Sequence, residues 1–144
     1  MTVERILRYK GGDVFSVRPD HTVADAAHVL HSRKIGAAMV CDGHACVGVL
    51  SERDIVQGLA AHGGKALSMP VRALMSSPVV TCGPKDRIKD VMDVMSTRRI
   101  RHLPVVRDDT IVGMVSIGDV VGQRLAEKQL EAAVLRDFAL AASA

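Results

Sequence analysis

The chain has 144 residues, is 48% hydrophobic and carries 19 Lys and Arg against 16 Asp and Glu, a formal charge of +3. That is enough for one compact domain or two small halves. Residues 1–65 hold 8 cations against 7 anions and residues 66–144 hold 11 against 9, so neither half is a basic nucleic-acid arm. With no Trp, one Tyr (Tyr9) and two Phe (Phe15, Phe138), base stacking on aromatic platforms is disfavoured as well. No apolar run approaches the ~20 residues of a membrane helix, and the start of the chain lacks a secretory signal pattern. Three cysteines, an odd number, point to a reducing cytoplasm rather than a disulfide framework.

In chain order, "VERIL" leads into an extended piece, Val14–Val17, and a turn at Pro19. Val23, Ala26, Ala27 and Leu30 then recur at i, i+3, i+4, i+7, which predicts an amphipathic helix over 22–34, started by Thr22 and ended near Arg33 and Lys34. Two strands follow, Ala37–Cys41 and Cys46–Leu50, around Asp42-Gly43, and a second helix begins at Ser51-x-x-Asp54. Residues 57–70 read as a linker. The pattern then returns: "VRALM", an extended Val79–Cys82, a turn at Pro84, and a helix over 87–99 with Asp86 as its expected cap. After it come strands Leu103–Val106 and Thr110–Val115 around Asp108-Asp109, and a helix at Ser116-x-x-Asp119.

Shifted by 65 positions, Val14–Gln57 aligns with the later copy without gaps, with 12 identities in 44 positions. The lead-ins align only at an offset of 68, so the first copy has three extra residues around "KGG". Each unit is therefore β-α-β-β-α, with repeat 1 spanning 1–65 (lead-in and linker included) and repeat 2 spanning 66–144. The expected fold class is α/β (α+β): two such repeats packed sheet to sheet with pseudo-two-fold symmetry, because one alone cannot bury both faces of its sheet. A final helix, about 119–142, displays Val120, Val121, Leu125, Leu130, Val134, Leu135 and Phe138 and is a candidate dimer contact.

The registered copies, "RRIRHLPVV" and "GMVSIGDVV", resemble a tandem pair of cystathionine-β-synthase (CBS) domains over about residues 3–125, of the stand-alone bacterial kind. The resemblance implies a non-enzymatic regulatory module binding an adenine nucleotide (AMP, ADP, ATP or NAD type) in the cleft between repeats, with no required cofactor. It implies a homodimer, a regulated protein partner of unstated identity, and no membrane. The alternative is a structural interaction module with empty clefts.

The chemistry of individual residues fits that implication. The vicinal hydroxyls of a ribose match the two acceptor oxygens of a carboxylate, the role expected of Asp119 and Asp54. The same Ser-x-x-Asp spacing also caps a helix, and the two roles are compatible. Ser51 and Ser116 open helices whose N–H groups favour anions; Arg53, Arg101 and His102 are candidate phosphate donors. Leu103 and Pro104, with Ala37 and Met39 in the first copy, are expected to offer backbone to an adenine edge, Pro104 marking an open or edge strand. Ser16 and Thr81 are corresponding hydroxyls on the first strands. The first copy has Gly36 and Ala37 where the second has Arg101 and His102, so it loses the local cations. "CDGHAC" tempts a zinc reading, but no second Cys/His pair completes four ligands; a hairpin turn flanked by two small residues is expected there.

Overall fold

A computed structural model describes residues 1–143; the last residue of the expected second repeat, Ala144, lies outside the described residues. The chain divides into two compact units, Val14–Val80 and Met1–Asp13 together with the chain from Thr81 onward. This grouping differs from the division by chain order at 65/66. The lead-in of the first copy belongs with the second repeat, and the segment expected to be a linker belongs with the first.

In the unit Val14–Val80, β1 (Ser16–Val17), β2 (Ala37–Asp42) and β3 (Ala45–Ser51) form a sheet in that order, β1–β2 parallel and β2–β3 antiparallel. Ala37–Val40 are buried, as a central strand requires. The helix α2 (Val23–Arg33) starts in a reciprocal capping box: Thr22 Oγ1 accepts from the Asp25 amide at 3.1 Å and Asp25 from the Thr22 amide at 3.3 Å. It ends at Lys34, which takes the left-handed conformation (φ 54°). The Arg33 guanidinium lies 4.8 Å from the Phe15 ring centre. Val17, Ala26, Val40, Leu50 and Val71 make the core, with Val29, Ile55, Leu74 and Met75 packed against it. The expected loose linker is ordered: α3 (Glu52–His62) runs through its start, a 3₁₀ helix (Gly63–Ser68) buries Ala66, and a 3₁₀ turn (Val71–Ala73) buries Val71.

The second unit opens with α1 (Val3–Lys10) and continues through α4 (Ile88–Arg98), β4 (His102–Arg107), β5 (Thr110–Ser116) and α5 (Ile117–Ala142). Here Asp86 does not cap its helix. Its carboxylate instead accepts from the Gly83 amide at 2.9 Å, and Arg87 stands at the N-cap without a side-chain bond. The β4–β5 turn uses Asp108 and Asp109 at φ 49° and 60°, which short polar side chains tolerate better than most. The sheet has two strands, and the expected Val79–Cys82 strand reduces to one parallel bridge, Cys82 with Val105. Pro104 explains the loss. At the matching position Met39 donates its amide to the Phe15 carbonyl at 2.9 Å, and proline has no N–H to give.

The lead-ins are seated in the same way in both units. Val71 donates its amide to the His21 carbonyl (2.8 Å) and Val3 to the Asp86 carbonyl (3.0 Å). A Cβ built on Gly48 would come within 2.6 Å of Met75 Sδ and 3.0 Å of the Ser76 carbonyl oxygen; on Gly113 it would meet Leu7 Cδ2 at 2.5 Å. At Gly48 the backbone carbonyl limits relief, whereas at Gly113 only the end of the Leu7 side chain would have to move, so glycine is the closer requirement in the first hairpin.

Cys41 and Cys46, partners across the β2–β3 hairpin, form a disulfide. This corrects the expectation of unlinked cysteines and removes the odd count as an argument for a reducing compartment. The thiolates that zinc would need are consumed. Cys82 remains free and buried; burial, with the Asp86 charge in second place, pushes its thiol up to about 12, so it stays protonated and is a poor nucleophile.

Gly48→Ala is expected to lower the unfolding free energy by about 1–3 kcal/mol through overpacking. Gly64→Ala, which meets nothing within 4 Å, should stay within about 0.5 kcal/mol of the parent. Urea denaturation separates the two, and equal effects would show that Met75 is not held against β3.

Candidate functional site

Each hairpin runs directly into a helix N-terminus, and each junction is sealed by one serine and one aspartate through two hydrogen bonds. Ser51 Oγ accepts from the Asp54 amide (3.2 Å) while the Ser51 amide donates to Asp54 Oδ2 (2.9 Å). Ser116 and Asp119 repeat the arrangement at 3.2 and 2.8 Å. The strand register sets what lies beside each cap: Ala37 opposite Ser51, His102 opposite Ser116. The next backbone bonds run from the Glu52 amide to the Gly36 carbonyl (2.9 Å) and from the Ile117 amide to the Arg101 carbonyl (2.8 Å). The second unit thus gathers Arg101, His102, Ser116 and Asp119, whereas the first gathers Gly36, Ala37, Ser51, Arg53 and Asp54.

The remaining candidates do not all join these clusters. Ala37, Met39, Leu103 and Pro104 are buried, Met39 and Leu103 at 1% exposure. Part of their backbone is engaged: the Pro104 carbonyl accepts from the Cys82 amide at 2.9 Å, and the Met39 amide donates to the Phe15 carbonyl. The expectation at Pro104 holds in part: β4 pairs with β5 alone as a named strand, and the ladder beside it is interrupted where proline has no N–H, leaving a single bridge, while the Pro104 carbonyl itself is engaged. Ser16 and Thr81 are exposed, and among the described residues neither bonds to a serine–aspartate pair. Arg53 and Arg101 are exposed, free of the burial that would fix their guanidinium groups.

Two participants escaped the sequence reading. Lys10 Nζ donates to Asp119 Oδ2 at 2.8 Å, and Ser76 Oγ donates to Asp54 Oδ1 at 3.0 Å. Lys10 and Asp119 are 109 positions apart in the chain, beyond any local pattern. The signal available was the change of offset from 68 to 65 at "KGG".

The CBS domain family model matches residues 3–61 and 71–125. The chain belongs to the CBS domain family. A CBS-domain containing protein of Agrobacterium tumefaciens, solved by crystallography, is 38% identical and superposes with a TM-score of 0.82, covering 85% of this chain and 92% of that one. The mitochondrial CBS domain-containing protein CBSX3 of Arabidopsis thaliana is 32% identical over 129 residues, 83% of this chain; the match spans only 63% of that protein's length. A CBS domain pair crystallised with 5′-methylthioadenosine and S-adenosyl-L-methionine shares the fold at 24% identity and a TM-score of 0.76, covering 89% of this chain and 98% of that one. No helix among the described residues of this CBS protein is long and apolar enough to cross a membrane.

The two CBS repeats differ electrostatically. Burial resists ionisation of Asp119, but the Lys10 ammonium and the Ser116 amide outweigh it and hold the carboxyl below its usual value. A carboxyl depressed in the folded state adds stability above its unfolded pKa of about 3.9, and that stability is lost as pH falls through the folded value. In Lys10→Met the Asp119 carboxyl should titrate at higher pH, and acid unfolding should begin at higher pH too. Carboxyl-detected NMR titration checks this; an unmoved midpoint would mean that the pair is not formed in solution.

Proposed function

We propose that this CBS pair is a regulatory module whose primary ligand is an adenine nucleotide held through its ribose by Asp119. One observation carries the reading. The half-buried Asp119 carboxylate is held in place through Oδ2, while among the described residues nothing donates to Oδ1. A fixed carboxylate with acceptor capacity to spare, beside a helix N-terminus, Arg101 and His102, suits a ribose that carries phosphate. The CBS pair crystallised with two adenosine derivatives supports the ligand class. Asp54 is a weaker candidate: Ser76 occupies its Oδ1 and Ser51 its Oδ2, and Gly36 and Ala37 supply no cation. On this reading one strong site per chain reports an energy or redox state, by favouring one of two conformations of the module.

The test is calorimetric titration with AMP, ATP, NADH and S-adenosylmethionine. Asp119→Ala should weaken the ligand that binds by about 10- to 100-fold, the range of lost charge-assisted hydrogen bonds; Asp54→Ala should do less. Unchanged affinity in Asp119→Ala overturns the ribose assignment, and no binding by any of the four overturns the ligand class.

A second reading, a protein-interaction module, is favoured by the far end of α5. There Leu130, Val134, Leu135, Phe138 and Leu140 are 45–71% exposed, large apolar side chains that a partner could cover. Truncation after Glu131 should abolish self-association in sedimentation velocity and leave nucleotide affinity within twofold. A parent chain that is monomeric at high concentration removes the homodimer from this reading.

A further inference from the structure

Building on the Asp119 assignment, we propose that Lys10 is a charge gate: it makes that site select phosphorylated ligands over uncharged nucleosides. The argument starts from the insertion. The helix α1 ends at Lys10, and Gly11 turns the chain at φ 84° with its amide bonded to the Leu7 carbonyl at 2.8 Å. A Cβ on Gly12 would stand 2.5 Å from the Val112 carbonyl oxygen, so the backbone crosses β5 at a distance only glycine permits. The extra residues around "KGG" therefore do more than connect. They bring a cation from the start of the chain to the N-terminus of α5, where it pairs with Asp119 at 2.8 Å.

The Lys10 side chain remains 40% exposed and that of Asp119 25%, so the pair is reachable and can be exchanged. Lysine is a point charge on a flexible four-carbon stem. A ribose whose two hydroxyls span the Asp119 carboxylate takes Oδ1 and competes with the ammonium for Oδ2. When the ligand carries a 5′-phosphate, the displaced ammonium gains a new anion within the swing of its stem. When the ligand is an uncharged nucleoside, the ion pair is weakened and nothing replaces it. Selectivity thus comes from a penalty on the wrong ligand as well as attraction to the right one. The first unit lacks this device, because the third partner of Asp54 is the neutral Ser76 hydroxyl.

The experiment measures AMP and adenosine affinities by calorimetry for the parent chain, Lys10→Met, Lys10→Arg and Asp119→Ala, at low and moderate salt. Lys10→Met should weaken AMP by about tenfold, tighten or leave unchanged adenosine, and flatten the salt dependence of AMP binding. Lys10→Arg should restore the preference. A role for Lys10 confined to folding would weaken both ligands together, and that parallel loss overturns the inference, as does an unchanged AMP-to-adenosine ratio. If Asp119→Ala weakens both ligands while Lys10→Met changes neither, the ribose assignment stands and only the gate falls. If the parent binds neither ligand, the assignment fails and the gate fails with it.

Discussion

The arrangement of each unit depends on the close approach of a lead-in segment to the second strand of its hairpin. Gly48 and Gly113 occupy the middle of the second hairpin strand, and Met75 and Leu7 lie where a side chain would otherwise be. That close approach lets a lead-in segment cover the hairpin and close the core around the buried Val71 or Val3. Once the lead-in is seated, its end is carried toward the serine–aspartate cap. The residue delivered there, Ser76 or Lys10, decides the electrostatic character of the carboxylate.

The two units thus share a scaffold and differ in chemistry. Both caps hold their aspartates in one orientation, because each aspartate is also needed to satisfy the amide at the start of its helix. Stability and recognition therefore draw on the same atoms. A carboxylate already ordered by its own helix needs little reorganisation to receive a ligand, which is the value of preorganisation. The first unit has the order with Arg53 as its one neighbouring candidate cation, and its second carboxylate oxygen is occupied.

Much of this was legible in the residues. The 65-residue offset, the Thr22 cap, the hairpins and both Ser-x-x-Asp junctions follow from periodicity and capping chemistry, which act over a few positions. What was not legible is non-local or depends on a competing local bond. Asp86 was expected to cap α4, but the Gly83 amide claims its carboxylate. Pro104 marked an interrupted ladder, and its missing N–H does shorten the neighbouring strand to a bridge, but the residue alone did not show that its carbonyl is bonded. Cys41 and Cys46 were read as turn-flanking residues, and only the strand register shows that they are partners. Lys10 lay outside the gap-free alignment of the two copies, and its meaning depends on a fold that returns to it 109 residues later.

The division of the chain bears on the order in which it is made. Val14–Val80 is one continuous stretch, whereas the other unit is split between Met1–Asp13 and the chain from Thr81 onward. In chain order α1 precedes all its partners by more than seventy residues: it bonds to Pro84 and Asp86 and packs on β5 and α5. The continuous unit is complete before those partners are made and is free to fold by itself, as domains generally do during synthesis. The late unit must close over a long loop, the kind of topology associated with slow folding. Until then the apolar residues of α1, Val3 and Ile6, have no core to enter.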